Sequence, residues 1–455
     1  MRYISTRGGT PPLSFQDAVL TGLAPDGGLL LPEALPSFAE RLDDWRTLSF
    51  PELATEVFAR FADDIPRARI GEIVHAAYAT FRHEEVVPLV DLDDLHVMEL
   101  FHGPTLAFKD VALQVLGRLF EYIVTARGTR LNVLCATSGD TGSAAIAGIR
   151  GRAGMGVFVL YPEGRTSALQ ELQMTTVPDE NVHCIAIDGT FDDCQRIVKA
   201  IFSDLDFKAR HGLGAANSVN WARVLAQTAY YLHGALRFDE PVSFSVPTGN
   251  FGNILAGYLA RAMGAPIDAL VLGTNDNDIL ARFFETGVYS VGETRRTISP
   301  SMDIQVASNF ERFVYYRLGC DPAALLTFMT TFAAEGVARM DGGVPEDEGI
   351  LATAVDEPAT MAAMSDLYAR SGYVVDPHTA VGVAAASRFP DYRPMICLAA
   401  AHPAKFPESV DRAVGAEVAR HALLDGLAEQ PQRKTLLPPD LEAVKAFIAP
   451  RAGEA

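Results

Sequence analysis

The sequence predicts an α/β protein with a small, mostly helical N-terminal domain, and three observations carry that reading. From about residue 90, short apolar runs alternate with amphipathic segments at helical spacing. Glycine-containing loops stand where several of those runs end, and residues 1–85 follow a different pattern of turn signals around short apolar pieces.

In residues 1–85 the turn signals are Arg7-Gly8-Gly9 and Pro25-Asp26-Gly27-Gly28, and apolar spacing predicts helices over 50–61 and 69–81. The alternation then predicts a strand at 131–136, a helix at 143–150, a strand at 157–161, a helix at 168–175 and a strand at 182–187. It resumes with a strand at 242–246, a helix at 253–263, a strand at 269–273 and a last strand at 395–399. Residues 285–375 keep the alternation poorly and are richer in helical spacing, which predicts an insertion. The expected division is an N-terminal domain over 1–85, an α/β catalytic region of two lobes over 86–430, and a peripheral, proline-spaced tail over 431–455.

Composition narrows the function. With 455 residues and 49% hydrophobic content, the chain can bury sizeable cores. A formal charge of -19 repels nucleic acid and anionic membrane surfaces, so an anionic small substrate would need a local basic site. Cys135, Cys184, Cys194, Cys320 and Cys397 are scattered and form no CxxC pair, which points away from a disulfide framework or a zinc site and towards a reducing cytoplasm. The first residues lack an apolar h-region and no run of 18 apolar residues follows, so neither export nor membrane insertion is expected. Nothing in the sequence fixes an oligomeric state.

Lys109 is the first candidate for chemistry. It lies in Phe101-His102-Gly103-Pro104-Thr105-Leu106-Ala107-Phe108-Lys109-Asp110, among aromatic and apolar residues at the start of a helical stretch. Desolvation lowers an ammonium pKa, and a neutral amine attacks an aldehyde to form a Schiff base; the bland alternative is a snorkelling lysine beside Asp110.

Three loops supply candidate anion sites. Ser138-Gly139-Asp140-Thr141-Gly142 follows a strand and precedes a helix, so it either cradles a carboxylate or phosphate or is an ordinary capped turn. Gly249-Asn250-Phe251-Gly252-Asn253 is more specific, because two glycines three apart, each followed by asparagine, allow a nest of amides at a helix start that suits a phosphate dianion. It lacks both the GK[ST] of a Walker loop and the GxGxxG of a dinucleotide fingerprint. In Asn217-Ser218-Val219-Asn220-Trp221-Ala222-Arg223, Arg223 offers a planar fork for phosphate and Ser218 and Asn220 add neutral donors; alternatively Ser218 or Asn220 only caps the helix. His378 and His402 are each open to a structural or a catalytic reading.

The ordered segments FHGPTLAFKD, ATSGDTG, ANSVNWAR, VPTGNFGN, MDIQVASNFER, DPHTAVG and AAHPAKF resemble the threonine synthase family of the long bacterial and fungal type. Residues 3–8 and 23–29 resemble that family's N-terminal domain, so the likeness spans nearly the whole chain. The resemblance implies a fold type II pyridoxal 5'-phosphate enzyme in which Lys109 is the Schiff-base lysine and Gly249, Asn250, Phe251, Gly252 and Asn253 hold the cofactor phosphate. It implies O-phospho-L-homoserine as substrate, with its carboxylate at Ser138, Gly139, Asp140, Thr141 and Gly142 and its phosphate at Ser218, Asn220 and Arg223. The reaction is then β,γ-elimination and replacement giving L-threonine and phosphate, without a metal. Two other outcomes share these residues: a phospho-lyase giving 2-oxobutanoate and ammonia, and an inactive cofactor-binding homologue. The chain departs from the family at Ala400, where a threonine usually precedes Ala401-His402 and is expected near the pyridine nitrogen; alanine cannot hydrogen-bond there.

Overall fold

The computed structural model describes residues 1–92, 94–137, 139–340 and 349–453. Two sheets dominate it. One runs in the order Ile350–Ala354, Ile267–Thr274, Val242–Pro247, Met395–Ala399, His96–Glu99, Leu89–Asp91, parallel except for the last pair. The other is wholly parallel, in the order Thr435–Leu437, Val182–Ile187, Met155–Pro162, Leu131–Ala136, Leu213–Gly214. Strands such as Leu131–Ala136 and Met155–Pro162 are buried along nearly their whole length, because helices cover both faces of a parallel sheet; hence their continuous rather than alternating apolar sequence. The α/β expectation holds, with each strand named from the sequence found within about two residues of its place.

Between the sheets lie two long helices, Lys109–Arg127 and Trp221–Ala235, the second buried at every position. A third, Asp140–Ile149, crosses the first through glycines: a Cβ on Gly117 would collide with the Gly148 carbonyl, and one on Gly148 would lie 2.5 Å from the Leu113 carbonyl oxygen. Backbone-to-backbone contact fixes the relative position of two helices whose first residues are Lys109 and Asp140. Gly117→Ala is therefore expected to cost about 1–3 kcal/mol or more through overpacking. It should also depress activity by separating these helix starts; a urea midpoint and rate equal to wild type would show that the crossing has slack.

Residues before 85 form the helices Phe15–Thr21, Phe50–Phe61 and Arg67–Tyr78 and a strand pair, Tyr3–Ser5 with Leu30–Pro32. Phe50–Phe61 starts with a capping box, in which Ser49 and Glu52 satisfy each other's end of the helix, and its Phe50, Leu53, Val57, Phe58 and Phe61 are buried. This unit packs into one core with the long helices, since Phe50 and Tyr78 share a cluster with Leu113 and Tyr230.

Two sequence expectations are revised. The tail after 430 is not peripheral: Thr435–Leu437 joins the five-stranded sheet, and Val444, Ile448 and Ala452 of helix Leu441–Ala452 are fully buried against it. Its proline spacing concealed a short edge strand. The irregular stretch is also narrower than 285–375, because Ile350–Ala354 belongs to the six-stranded sheet; a separate strand pair, Val288–Ser290 with Val337–Arg339, brackets much of what precedes it. Among the described residues, no helix is long and apolar enough to cross a membrane.

Candidate active site

Lys109 opens its helix from a loop stitched down on both sides. The Thr105 amide and hydroxyl donate to Asp110 at 2.7 and 2.8 Å, the Phe108 amide donates to the Ala400 carbonyl at 2.8 Å, and the His402 amide donates to the Leu106 carbonyl at 3.0 Å. Burial pushes the Asp110 carboxyl up to about 6 despite these donors. Its role is to shape the loop; the acid facing the lysine is another one.

Lys109 Nζ lies 3.7 Å from Asp140, 3.3 Å from Ser301 Oγ and 5.3 Å from the centre of the Phe108 ring. Burial lowers its pKa, Asp140 opposes that shift, and the neighbouring charges of Lys405 and Arg223 add to it. This is the desolvated amine the sequence pointed to, held within reach of a neutral, nucleophilic state.

The loop 139–142 serves the site differently from expectation. Asp140 is buried, and its carboxylate accepts from Lys405 Nζ and Gln170 Nε2, each at 2.8 Å. Burial alone would raise its pKa, but Lys405 and then Lys109 hold it well below the usual carboxylate range. Its side chain is thus a counter-ion for two lysines, and only its backbone is left to face a ligand. The Gly139 and Gly142 amides both donate inward to Thr137 Oγ1 at 3.0 Å, so neither points at a ligand. Gly142 is small for packing reasons, since a Cβ there would lie 2.6 Å from Met174 Sδ. What remains for an anion is the helix start at Asp140 and the partly exposed Thr141. Ser138 lies outside the described residues.

The second loop links strand Val242–Pro247 to helix Gly252–Ala262. Phe251 adopts φ 63°, and its ring is buried among Phe284, Phe310 and Phe313. Burying that ring contributes about 1.5–3 kcal/mol, enough to offset the about 1–2 kcal/mol that a left-handed non-glycine backbone costs. The Phe251 side chain is therefore an anchor rather than a ligand. Asn253 is similarly pinned, its Oδ1 accepting from the Tyr230 and Tyr231 hydroxyls. Gly249 cannot be larger, because a Cβ would lie 2.9 Å from the Ser301 carbonyl oxygen. The first-turn amides of the helix at 252–254 have no intrahelical acceptor, which is the geometry a phosphate uses.

The third segment divides. Asn220 is fully buried, its Oδ1 capping Ala222 and its Nδ2 donating to the Val19 carbonyl at 2.8 Å, so it is structural and not a phosphate ligand. Ser218 Oγ lies 2.9 Å from Ser308 Oγ, which lies 3.2 Å from Asn250 Oδ1. Segments that the sequence assigned to two phosphates are thus joined. Arg223 is 4% exposed, donates one bond to the Ala216 carbonyl at 3.1 Å, and leaves its buried Nε without a partner. Among the described residues it forms no ion pair, and burial brings its pKa down to about 10. A desolvated, unpaired guanidinium whose charge is felt at Lys109 is costly unless an anion completes it.

Sequence reasoning missed three contributors, Lys405, Ser301 and Thr379, and left the role of a fourth, His378, open. Lys405 stands in a quoted segment, but only its complete burial marks it as the partner of Asp140. Ser301 falls in the poorly patterned stretch and carries no local signal. His378 bonds Asp376 through Nδ1 at 2.7 Å and accepts from the Ser301 amide through Nε2 at 3.2 Å; the readable signal was Asp376 as cap of helix Pro377–Ser387. Thr379 Oγ1 bonds Asp376 and accepts from the Ala400 amide, so it is spent and does not replace the hydroxyl missing at Ala400.

A buried amine and a glycine loop at a helix start fit an aldehyde cofactor that carries a phosphate, and the uncompensated guanidinium calls for a further anion. Comparisons with known proteins agree. Residues 2–78 match the family model "Threonine synthase N terminus", 81–337 "Pyridoxal-phosphate dependent enzyme" and 379–448 "Threonine synthase, C-terminal". The chain is 46% identical to a threonine synthase of Pseudomonas aeruginosa, over 99% of this chain and 98% of that protein. It is 42% identical to the Saccharomyces cerevisiae threonine synthase, over 98% and 93% of the two chains. A crystal structure of PLP-bound threonine synthase from Brucella melitensis superposes with a TM-score of 0.96 at 44% identity, covering 99% of each chain. Motifs, fold and site agree across the length of the molecule, and the chain belongs to the threonine synthase family.

Proposed function

We infer that this protein makes L-threonine and phosphate from O-phospho-L-homoserine and water. It is a pyridoxal 5'-phosphate enzyme, and the family membership supports the reaction. The single feature that best supports a phosphorylated substrate is Arg223, a buried cation with an unpartnered nitrogen beside the working lysine.

When bound, the cofactor withdraws electrons from the substrate's Cα and so acidifies its proton. Lys109 is the residue that would hold the cofactor's aldehyde, and its free Nζ would take the substrate's Cα proton and later return it. Burial favours this by keeping a larger neutral fraction of the amine. Asp140 remains ionised between Lys109 and Lys405 as the counter-ion of both. The amides of the helix start at 252–254 would hold the cofactor phosphate, and Ser218 is tied to Asn250 of the same loop through Ser308. Arg223 binds the substrate phosphate and stabilises it as it leaves Cγ, since charge-assisted guanidinium bonds strengthen as phosphate gains charge. The substrate carboxylate lies at the start of helix Asp140–Ile149, beside Thr141.

The test is product identification with the cofactor-loaded protein and O-phospho-L-homoserine. L-Threonine and phosphate in equal amounts are expected. 2-Oxobutanoate with ammonia would make the protein a phospho-lyase, and failure to take up cofactor would make it an inactive homologue.

A further inference from the structure

Ser301 reaches the site from a segment whose sequence pattern assigns it nothing. The short turn Pro300–Met302 sets its Oγ 3.3 Å from Lys109 Nζ, and its carbonyl presses on Gly249, so one turn touches both the lysine and the anion loop. The segment is braced from outside: Asn275 Nδ2 donates to Ser299 Oγ at 3.0 Å and to Asp303 Oδ1 at 2.8 Å, and the Thr297 amide donates to Asp303 Oδ2 at 2.9 Å.

From inside, a second chain of bonds holds the same turn. The Ser301 amide donates to His378 Nε2 at 3.2 Å, and His378 Nδ1 bonds Asp376 Oδ2 at 2.7 Å. The ring thus bridges Asp376 to the turn, Nε2 facing the Ser301 amide and Nδ1 facing the carboxylate. Asp376 is fully buried and also accepts from the His378 and Thr379 amides at 3.0 and 3.1 Å, so the ring has little freedom to turn.

We propose that Ser301 is a positioning residue for Lys109: its hydroxyl accepts from the lysine's ammonium whenever that amine is free, and His378, oriented by Asp376, fixes the turn that presents it. The proposal rests on reading Lys109 as the working amine. A desolvated ammonium with only Asp140 to face swings towards that carboxylate; an oxygen on another element holds it part-way into the cleft.

The test reads Lys109 itself in cofactor-free protein, so it does not depend on which product the enzyme makes. Competitive acylation with trace acetic anhydride across pH 6–10, quantified on the Lys109 peptide by mass spectrometry, gives the titration midpoint of the amine. Ser301→Ala removes an acceptor of the ammonium and should lower that midpoint by about half a pH unit or more. Ser301→Thr keeps the hydroxyl and should restore it. His378→Gln presents an acceptor near the Nε2 position and should stay near wild type, whereas His378→Leu should behave like Ser301→Ala. A Ser301→Ala profile that superposes on wild type overturns the proposal. Ser301 is only partly buried, so losing one oxygen leaves the fold intact, and this arm decides even if His378→Leu does not fold. A shifted midpoint in a protein that forms no threonine would sink the functional reading and leave the positioning role standing.

Discussion

Lys109→Ala is expected to lower threonine formation by ~10³-fold or more, because it removes the cofactor's anchor and the base at Cα together. The fold should survive the change. Asp140 keeps its 2.8 Å bond from Lys405, so the buried carboxylate is not left without a cation, and the helix loses only a poorly solvated amine. Borohydride treatment of the wild-type holoenzyme should attach the cofactor to the Lys109 peptide, and the variant should show no such adduct. Lys109→Arg should be as inactive as the alanine variant, since a guanidinium keeps its charge and does not cycle protons near neutrality. A variant that retained wild-type turnover, or an adduct mapped to Lys405, would transfer the role to another amine. A urea midpoint far below wild type would mean instead that Lys109 is needed to hold Asp140.

Arg223→Met should change two quantities in opposite directions. Activity with O-phospho-L-homoserine is expected to fall by about 10²-fold in kcat/KM, the scale of losing charge-assisted bonds to a phosphate. Stability of the cofactor-free protein should rise, by about 1 kcal/mol or more in urea denaturation, because a buried cation with an orphaned Nε is replaced by an apolar chain of similar length. Inorganic phosphate should stabilise the wild type more than the variant, which keeps only the amides at 252–254, in line with ligand linkage. The combination separates a binding residue from a structural one: a structural arginine would lose stability on substitution. A destabilised variant with unchanged kcat/KM would remove Arg223 from the phosphate site.

The sequence by itself determined the α/β class and offered Lys109 and the loop at 249–253 as candidates, to which the family resemblance gave their roles. The class and the loop are legible because they rest on local physics: strands buried on both faces need continuous apolar runs, and a helix that begins at a glycine-rich turn exposes its amides whatever surrounds it. Only the tertiary structure decided which side chains do the work. In the sequence Asn220 and Arg223 are neighbours on one motif, yet folding sends the first into a cap and a bond to Val19 and leaves the second unpaired. Phe251 reads as part of a phosphate loop and proves to be its aromatic anchor, while Asp140 reads as a carboxylate ligand and proves to be the counter-ion of Lys405 and Lys109. Ser301, His378 and Lys405 reach the site across separations of 192, 77 and 300 residues in their bonds to Lys109, Ser301 and Thr105 respectively. Spacing along the chain reports one helical turn or one strand, whereas the desolvation that tunes an amine and the unpaired charge that calls for a phosphate come from what the fold removes from water.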